Sequence, residues 1–539
     1  MSSNKVWLSL YPEYIAKELS IPTKSIPQMF NETVKSHPNH IFLSFYGKKF
    51  TYNEISSSVT AFASALQKNG VQKGDRVAIM LPNCPQYVIS YYGILTVGGI
   101  ITQVNPMSVE RELKELLNDS GSETIIVLNS LYPLVKSVLN ETNLRKIIVV
   151  NLTDTIEEYE SGTEFEKFLQ SGHKEVKPVM IDPIEDVAVL QYTSGTTGRS
   201  KGVMLTHRNL YANILQQREF FKGAIDHGSE RVLSIIPFFH VYGMNVCINL
   251  SVLMANEIIL LPRFEIQEVL NTIKNEKPTL FPGVPTMYIA IINHPESEKY
   301  GIDAIKLCNS GSAPMPVDLI RQFENKTGAT ILEGYGLSEA SPTTHCNPAF
   351  AERKPGTVGI PYPSTDSKIV DLANGIDEVP VGKIGELILK GPQVMKGYWN
   401  LPEETAHTIR DGWLYTGDIA SVDEDGYVSI VDRKKDMIIA SGYNVYPREI
   451  EEVIYEHPCV QEAVVIGVPD TYRGETVKAV IVLKEGKKVT EVEMKEYCKN
   501  NLATYKVPRM IEFRKELPKT NVGKIVRRAI RETEKSKTR

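Results

Sequence analysis

The chain has 539 residues, 42% of them hydrophobic, and its 60 Lys and Arg against 65 Asp and Glu give a formal net charge of −5. At roughly 100 to 200 residues per domain this is material for two to four domains. The lack of a basic excess argues against a nucleic acid as partner. Cys84, Cys247, Cys308, Cys346, Cys459 and Cys498 are scattered with no Cys-x-x-Cys pair, so neither a zinc site nor a disulfide framework is expected. The opening MSSNKVWLSLYPEYI lacks the apolar run of a secretory signal, and the closing KSKTR is no peroxisomal tripeptide; a cytoplasmic location is expected.

In chain order, Thr51-x-x-Glu54 reads as a capping box that starts a helix over 51–68, closed by Asn69-Gly70. Residues 76–81 read as a buried strand, 84–97 as a helix and 99–104 as a further strand. The alternation recurs through 187–190, 232–236, 257–261 and 329–332, the signature of a parallel α/β body in two halves. The most apolar stretch, 246–261, is interrupted by Asn249, Asn256 and Glu257. That is too polar to cross about 30 Å of hydrocarbon. Peripheral contact with a bilayer stays compatible with the sequence.

After about residue 357 short strand-like runs with Gly and Pro, such as 385–390 and 427–431, predict a small β-rich subdomain. The charged cluster 432–436 reads as a solvated turn. Beyond it a helix over 447–457, strands over 461–468 and 477–483 and a helix over 492–501 predict a compact α+β unit. The fold class expected is therefore α/β: a large N-terminal domain of two α/β subdomains and a β-rich subdomain, 1–432, and a small α+β domain, 433–539.

The segment TSGTTGRSKG, 193–202, directly follows an apolar run and has the chemistry of a phosphate loop. Its glycines permit close approach, its hydroxyls and backbone N–H groups can cradle oxygens, and Lys201 adds a cation. The glycine-to-lysine spacing is not that of a Walker motif.

This segment resembles the phosphate loop of the adenylate-forming superfamily: acyl-CoA synthetases, aryl-CoA ligases, luciferases and the adenylation domains of peptide synthetases. The resemblance continues through PFFHVYGM (237–244), GSAPMP (311–316), EGYGLSEASP (333–342), GELILKGPQVMKGYW (385–399), WLYTGD (413–418), DRKKDMIIASGYNVYPREIE (432–451) and PKTNVGKIVRR (518–528). It implies an enzyme that uses ATP and Mg2+ to turn a carboxylic acid into an acyl adenylate, then into a coenzyme A thioester.

The residues carried over by the resemblance are of the types this chemistry needs. Thr193, Ser194, Gly195, Thr196, Thr197, Gly198 and Lys201 would hold phosphates, with Thr196 also acting in the reaction. Glu339 would be the magnesium-associated carboxylate. Tyr335, between Gly334 and Gly336, would pack on adenine, with Ser338, Gly311, Ser312 and Ala313 lining the nucleotide pocket. Asp418 and Arg433 would reach the ribose. Lys524 would bridge carboxylate and α-phosphate as a mobile point charge, and His240 would lie near the substrate carboxylate. Lys435 falls on the hinge position about which the small domain would rotate between half-reactions. Ser441, Gly442 and Tyr443 would then line the coenzyme A channel.

Within the superfamily, an amino-acid substrate is disfavoured because His240 stands where peptide-synthetase domains carry an aspartate. Light emission is disfavoured because Ile439 stands where luciferases carry a lysine. The start of the chain and the GYGLSEASPTTHCNP region resemble bacterial long-chain fatty acid–CoA ligases, so a medium- or long-chain fatty acid is the expected substrate. A 4-coumarate-type ligase is the alternative. Met244 replaces the tryptophan gate of some fatty acid ligases, which leaves acyl access and chain length open. A non-catalytic sensor of nucleotide or acyl adenylate would be expected to lack Lys524, Glu339 or Lys201, and all are present. Oligomeric state is not legible, and a homodimer is compatible with the sequence.

Overall fold

The computed structural model describes residues 5–152, 159–173, 175–193, 200–313, 315–440, 443–470, 474–502, 504–520 and 525–537. Two large sheets form the N-terminal body, as the alternating pattern predicts. In the eight-stranded sheet, Val187–Thr193, Ile100–Gln103, Arg76–Met80, Thr124–Leu128, Lys146–Val150 and Gly162–Glu164 run in parallel in that order; Lys201–Thr206 adds antiparallel beside Val187–Thr193, and Gly397–Tyr398 antiparallel beside Lys201–Thr206 at the edge. The nine-stranded sheet has a parallel centre from Thr330–Gly336 through Leu307–Ser310, Leu280–Gly283, Arg231–Ser234 and Glu257–Leu260 to Ile41–Phe45. Near-continuous apolar runs such as Ile125 to Val127 are buried because helices cover both faces.

The helix Tyr52–Lys68 begins as its sequence predicts. Thr51 Oγ1 accepts from Glu54 N at 3.2 Å while the Glu54 carboxylate accepts from Thr51 N at 2.7 Å. The helix Pro85–Thr96 packs against Tyr52–Lys68 and Ile26–Ser36. Tyr87, Tyr91 and Tyr92 on it are fully buried, which is tolerable because their hydroxyls are bonded: Tyr87 donates to Phe238 O at 2.8 Å and Tyr92 to Asn249 Oδ1 at 3.0 Å.

The apolar stretch after residue 243 lies in the core. It forms a wide π-helical turn, Gly243–Asn249, then the helix Leu250–Leu253 and the strand Glu257–Leu260. Among the described residues no helix is long and apolar enough to cross a membrane.

Beyond residue 360 an antiparallel sheet of Asp366–Val370, Gly385–Lys390, Trp413–Val422, Ile409–Arg410 and Val428–Arg433 forms the expected β-rich subdomain. The small C-terminal α+β domain is a second five-stranded sheet. It contains Tyr443–Val445, Ile438–Ala440, Gly474–Leu483, Val460–Asp470 and Met510–Arg514, with helices Pro447–Tyr455, Glu491–Asn501 and Arg527–Lys537.

The 432–436 cluster departs from the solvated turn expected. Arg433, Lys434 and Lys435 are exposed, but Asp432 and Asp436 are 4% and 8% exposed. Arginines from the C-terminal helix make this burial tolerable: Arg527 Nη1 lies 3.5 Å from Asp432, and Arg531 Nη1 lies 2.9 Å from Asp436. The charges that reach them are about 95 residues away in sequence, beyond any local pattern.

The capping box gives a direct test of the local reading. Thr51→Ala removes a cap acceptor for the first turn and should lower the thermal unfolding midpoint by about 1–2 °C, read by circular dichroism, without altering the folded spectrum.

Candidate active site

The strand Thr330–Gly336 carries Gly334, Tyr335 and Gly336 out of the nine-stranded sheet at its C-terminal end. The chain then folds back so closely that a Cβ on Gly336 would lie 2.2 Å from Pro342 O. Glycine is required there by contact. Tyr335 Oη donates to Asp418 Oδ2 at 2.5 Å. Burial, and then the Asp418 charge, hold the Tyr335 phenol well above its usual pKa, so it stays a donor. Asp418 sits directly across the β-rich sheet from Arg433, whose Nε lies 3.6 Å from Asp418 Oδ1. An aromatic ring, a buried carboxylate and an exposed guanidinium thus converge from three strands.

Gly311, Ser312 and Ala313 follow the strand Leu307–Ser310. Gly311 N donates to Gly283 O at 3.2 Å, and Ser312 is exposed with φ +67°. Tyr242 covers Gly311: a Cβ on that glycine would lie 3.4 Å from the ring. The Tyr242 hydroxyl is 2.8 Å from both the backbone and side-chain oxygens of Asn309.

His240 lies in a turn fixed from the other sheet. Asn83 Oδ1 accepts from Phe238 N at 2.8 Å, Tyr87 donates to Phe238 O, and Gln191 Nε2 donates to Phe239 O at 3.1 Å. The His240 Nδ1 accepts from Tyr242 N at 3.2 Å, which orients the half-buried ring. Gln191 stands two residues before Thr193, so the turn and the start of the phosphate loop share a support.

Glu339 occupies the short 3-10 turn Ser338–Ala340, which Ser338 opens. Tyr398 donates to Glu339 Oε1 at 2.9 Å, and burial pushes the Glu339 carboxyl up. A cation beside it would reverse that shift. Lys201 forms an ion pair with Glu404, and its Nζ lies 5.2 Å from the Tyr398 ring centre. Lys201 and Glu339 therefore flank one tyrosine, and Thr193 pairs directly with Lys201 across the strands that flank the loop.

Lys435 is exposed between Asp432 and Asp436, and Tyr443 opens the strand Tyr443–Val445. Ser194, Gly195, Thr196, Thr197, Gly198, Ser441, Gly442 and Lys524 lie outside the described residues. Tyr242, Asn309, Tyr398 and Glu404 were not singled out from sequence. The tyrosines lie inside two of the motifs quoted above, but Asn309 and Glu404 are marked only by the contacts they make. Among the described residues, no three His, Cys, Asp or Glu side chains are grouped to hold a metal ion.

Comparison with known proteins gives the family. Residues 30–399 match the AMP-binding enzyme family and residues 449–524 the AMP-binding enzyme C-terminal domain. The chain is 48% identical to a long-chain-fatty-acid–CoA ligase of Bacillus subtilis over 99% of both chains. It is 37% identical to a protein of the same name from Escherichia coli O6:H1, again over 99% of both. A feruloyl-CoA synthase of an Amycolatopsis species is 36% identical over 90% of this chain and 94% of its own. ATP-bound MatB from Rhodopseudomonas palustris, 30% identical over 96% of this chain and 100% of that one, superposes with a TM-score of 0.87; the apo form scores 0.76. With a full-length relative at 48% identity and a family match over most of its length, the chain belongs to the AMP-binding enzyme family and is an adenylate-forming acyl-CoA synthetase.

Proposed function

We propose that the protein joins a long-chain fatty acid to coenzyme A through an acyl adenylate, releasing AMP and pyrophosphate. The observation that carries the acyl part is a small, mostly apolar pocket of about 50 Å³, lined by Phe221, Val246, Leu250, Met254 and Leu280. Asn309 also lines it and holds the Tyr242 hydroxyl. Tyr242 in turn covers Gly311, so the cavity adjoins the nucleotide segment. Part of an alkyl chain can bury methylenes there at about 0.8 kcal/mol each, with its carboxylate toward the phosphates.

In the first half-reaction the carboxylate attacks the α-phosphate and pyrophosphate leaves. Negative charge develops on oxygens, which fixed donors and cations stabilise more strongly than water can. Tyr335 would support adenine, with Asp418 and Arg433 at the ribose, Lys201 at the departing phosphates and Lys524 between carboxylate and α-phosphate. Magnesium would be held by Glu339 together with phosphate oxygens and water, and would neutralise phosphate charge. A lone carboxylate suits an ion that keeps much of its water. In the second half-reaction the thiol of coenzyme A displaces AMP. Here residues 433–539 would rotate about Lys435, withdrawing Lys524 and bringing Ser441, Gly442 and Tyr443 to the site. The family matches end at residue 399 and resume at 449, which supports a division in this region.

The substrate reading predicts that, across saturated acids of about six to eighteen carbons, AMP formation dependent on ATP and coenzyme A rises steeply with chain length before levelling. Ferulate or coumarate giving a higher kcat/KM than every fatty acid would make the protein an aryl-CoA ligase instead.

Lys524→Ala should lose most acyl-AMP formation yet still convert supplied acyl-AMP and coenzyme A to thioester. Equal loss in both assays from a folded protein would sink the assignment. For Gly442→Leu the expected pattern is the opposite: near-normal ATP–pyrophosphate exchange, a drop of at least about 100-fold in thioester formation, and accumulation of acyl-AMP. Exchange and thioester formation falling together would point to a damaged fold, checked by a thermal melt, or to a single-conformation mechanism, and unchanged thioester formation would mean that coenzyme A enters by another route.

A further inference from the structure

Asp432 lies on the strand Val428–Arg433, paired with Ile419 in the β-rich sheet, and so belongs to the N-terminal body. Its carboxylate is 1% exposed. It accepts from Arg448 N at 3.0 Å and lies 3.5 Å from Arg527 Nη1. Arg448 stands at the start of the helix Pro447–Tyr455, and Arg527 opens the helix Arg527–Lys537. Asp432 thus caps, from outside, the first helix of the C-terminal domain, with a negative charge at the positive end of the helix dipole. The Arg448 guanidinium also reaches back to Ile430 O. All these ties cross Lys435.

The other partners of Arg527 do not. Glu451 Oε2 lies 2.5 Å from Nη2, and Asp436 Oδ2 lies 3.6 Å from Nη1; both follow Lys435 in the chain. Arg527 Nε is buried with no hydrogen-bond partner, so the guanidinium is not saturated in this arrangement.

We infer that Asp432 is a positioning residue, the fixed half of a latch whose moving half is Arg448 and Arg527, which holds the C-terminal domain in the adenylating arrangement and must open before thioester formation. The inference rests on the proposed rotation about Lys435. The whole chain superposes on an ATP-bound relative with a TM-score of 0.87 and on the same relative's apo form with 0.76, a difference in keeping with a latched state that serves the first half-reaction. Asp432→Asn is a gentle probe, because the amide oxygen can still accept from Arg448 N and Arg527 keeps two carboxylates.

The test compares full-length variants in two assays, fatty-acid-dependent ATP–pyrophosphate exchange and thioester formation from supplied acyl-AMP. Asp432→Asn should lower exchange by about fivefold or more while leaving thioester formation unchanged or faster, the scale of a typical coupling between states. Glu451→Gln weakens a contact of Arg527 that does not cross the hinge and should not change the ratio of the two rates. Arg448→Gln, which cuts the tie to Ile430, should shift the ratio in the same direction as Asp432→Asn and decides the matter if that variant does not fold. An unchanged ratio in Asp432→Asn, or an equal shift in Glu451→Gln, overturns the latch. Lys435→Pro separates the two readings. Restricting φ at the hinge should leave exchange and depress thioester formation. If it changes neither, the rotation is absent and the latch falls with it; if it acts as expected while Asp432→Asn does nothing, only the latch is wrong.

Discussion

One buried amide, Asn213, sets the frame on which the site depends. Its Nδ2 donates to Thr343 O at 2.7 Å, and its Oδ1 accepts from the hydroxyl and N–H of Thr343 and from Gln217 Nε2. Beside it Asn245 Nδ2 donates to Ser341 O at 2.6 Å, and Asn249 Nδ2 donates to Asn245 Oδ1 at 2.9 Å. These fully buried side chains would each carry a large desolvation cost if one partner were displaced. The segment between Tyr335 and Thr343, which includes Glu339, is therefore pinned to the helix His207–Phe220 and to the π-helical turn Gly243–Asn249. That turn also carries Met244 and borders the apolar pocket through Val246, so Glu339 and the pocket wall share a support.

The site gathers groups that burial keeps in their uncharged or proton-donating forms. Tyr335, Tyr398 and Tyr242 all have phenols raised above the usual range, chiefly by desolvation. Each hydroxyl meets an oxygen acceptor: Asp418, Glu339 or Asn309. Such pairs fix two carboxylates in place before any ligand arrives. Fixed dipoles need not reorganise as charge develops, which is where an enzyme of this kind gains over water. The exposed cation Arg433 and the cation Lys201 sit at the border of this buried region, each beside a carboxylate, Asp418 and Glu404.

The C-terminal domain follows a different rule. Its core closes within itself, around Ile438, Ile450, Val465 and Ile481, whereas its ties to strand Val428–Arg433 include hydrogen bonds and ion pairs through Asp432 and Ile430. Polar contacts of this kind are directional and exchangeable in a way that a shared apolar core is not.

Local order and chemistry could be read from the chain because both are carried by near neighbours. Thr51 and Glu54 announce a helix start three residues apart, strand runs announce their own burial, and the TSGTTGRSKG, GYG and WLYTGD segments hold their candidate residues within a few positions. What needed the fold were contacts between residues far apart in the chain. Asp432 and Asp436 look like part of a solvated cluster until Arg527 and Arg531 arrive from the last helix. Tyr398 is an aromatic like any other until a sheet edge sets it between Lys201 and Glu339, and Asn309 has no signal until Tyr242 packs over Gly311. Burial and pairing depend on tertiary proximity, so a charge or an amide whose partner lies a hundred residues away has no periodicity or spacing to give it away.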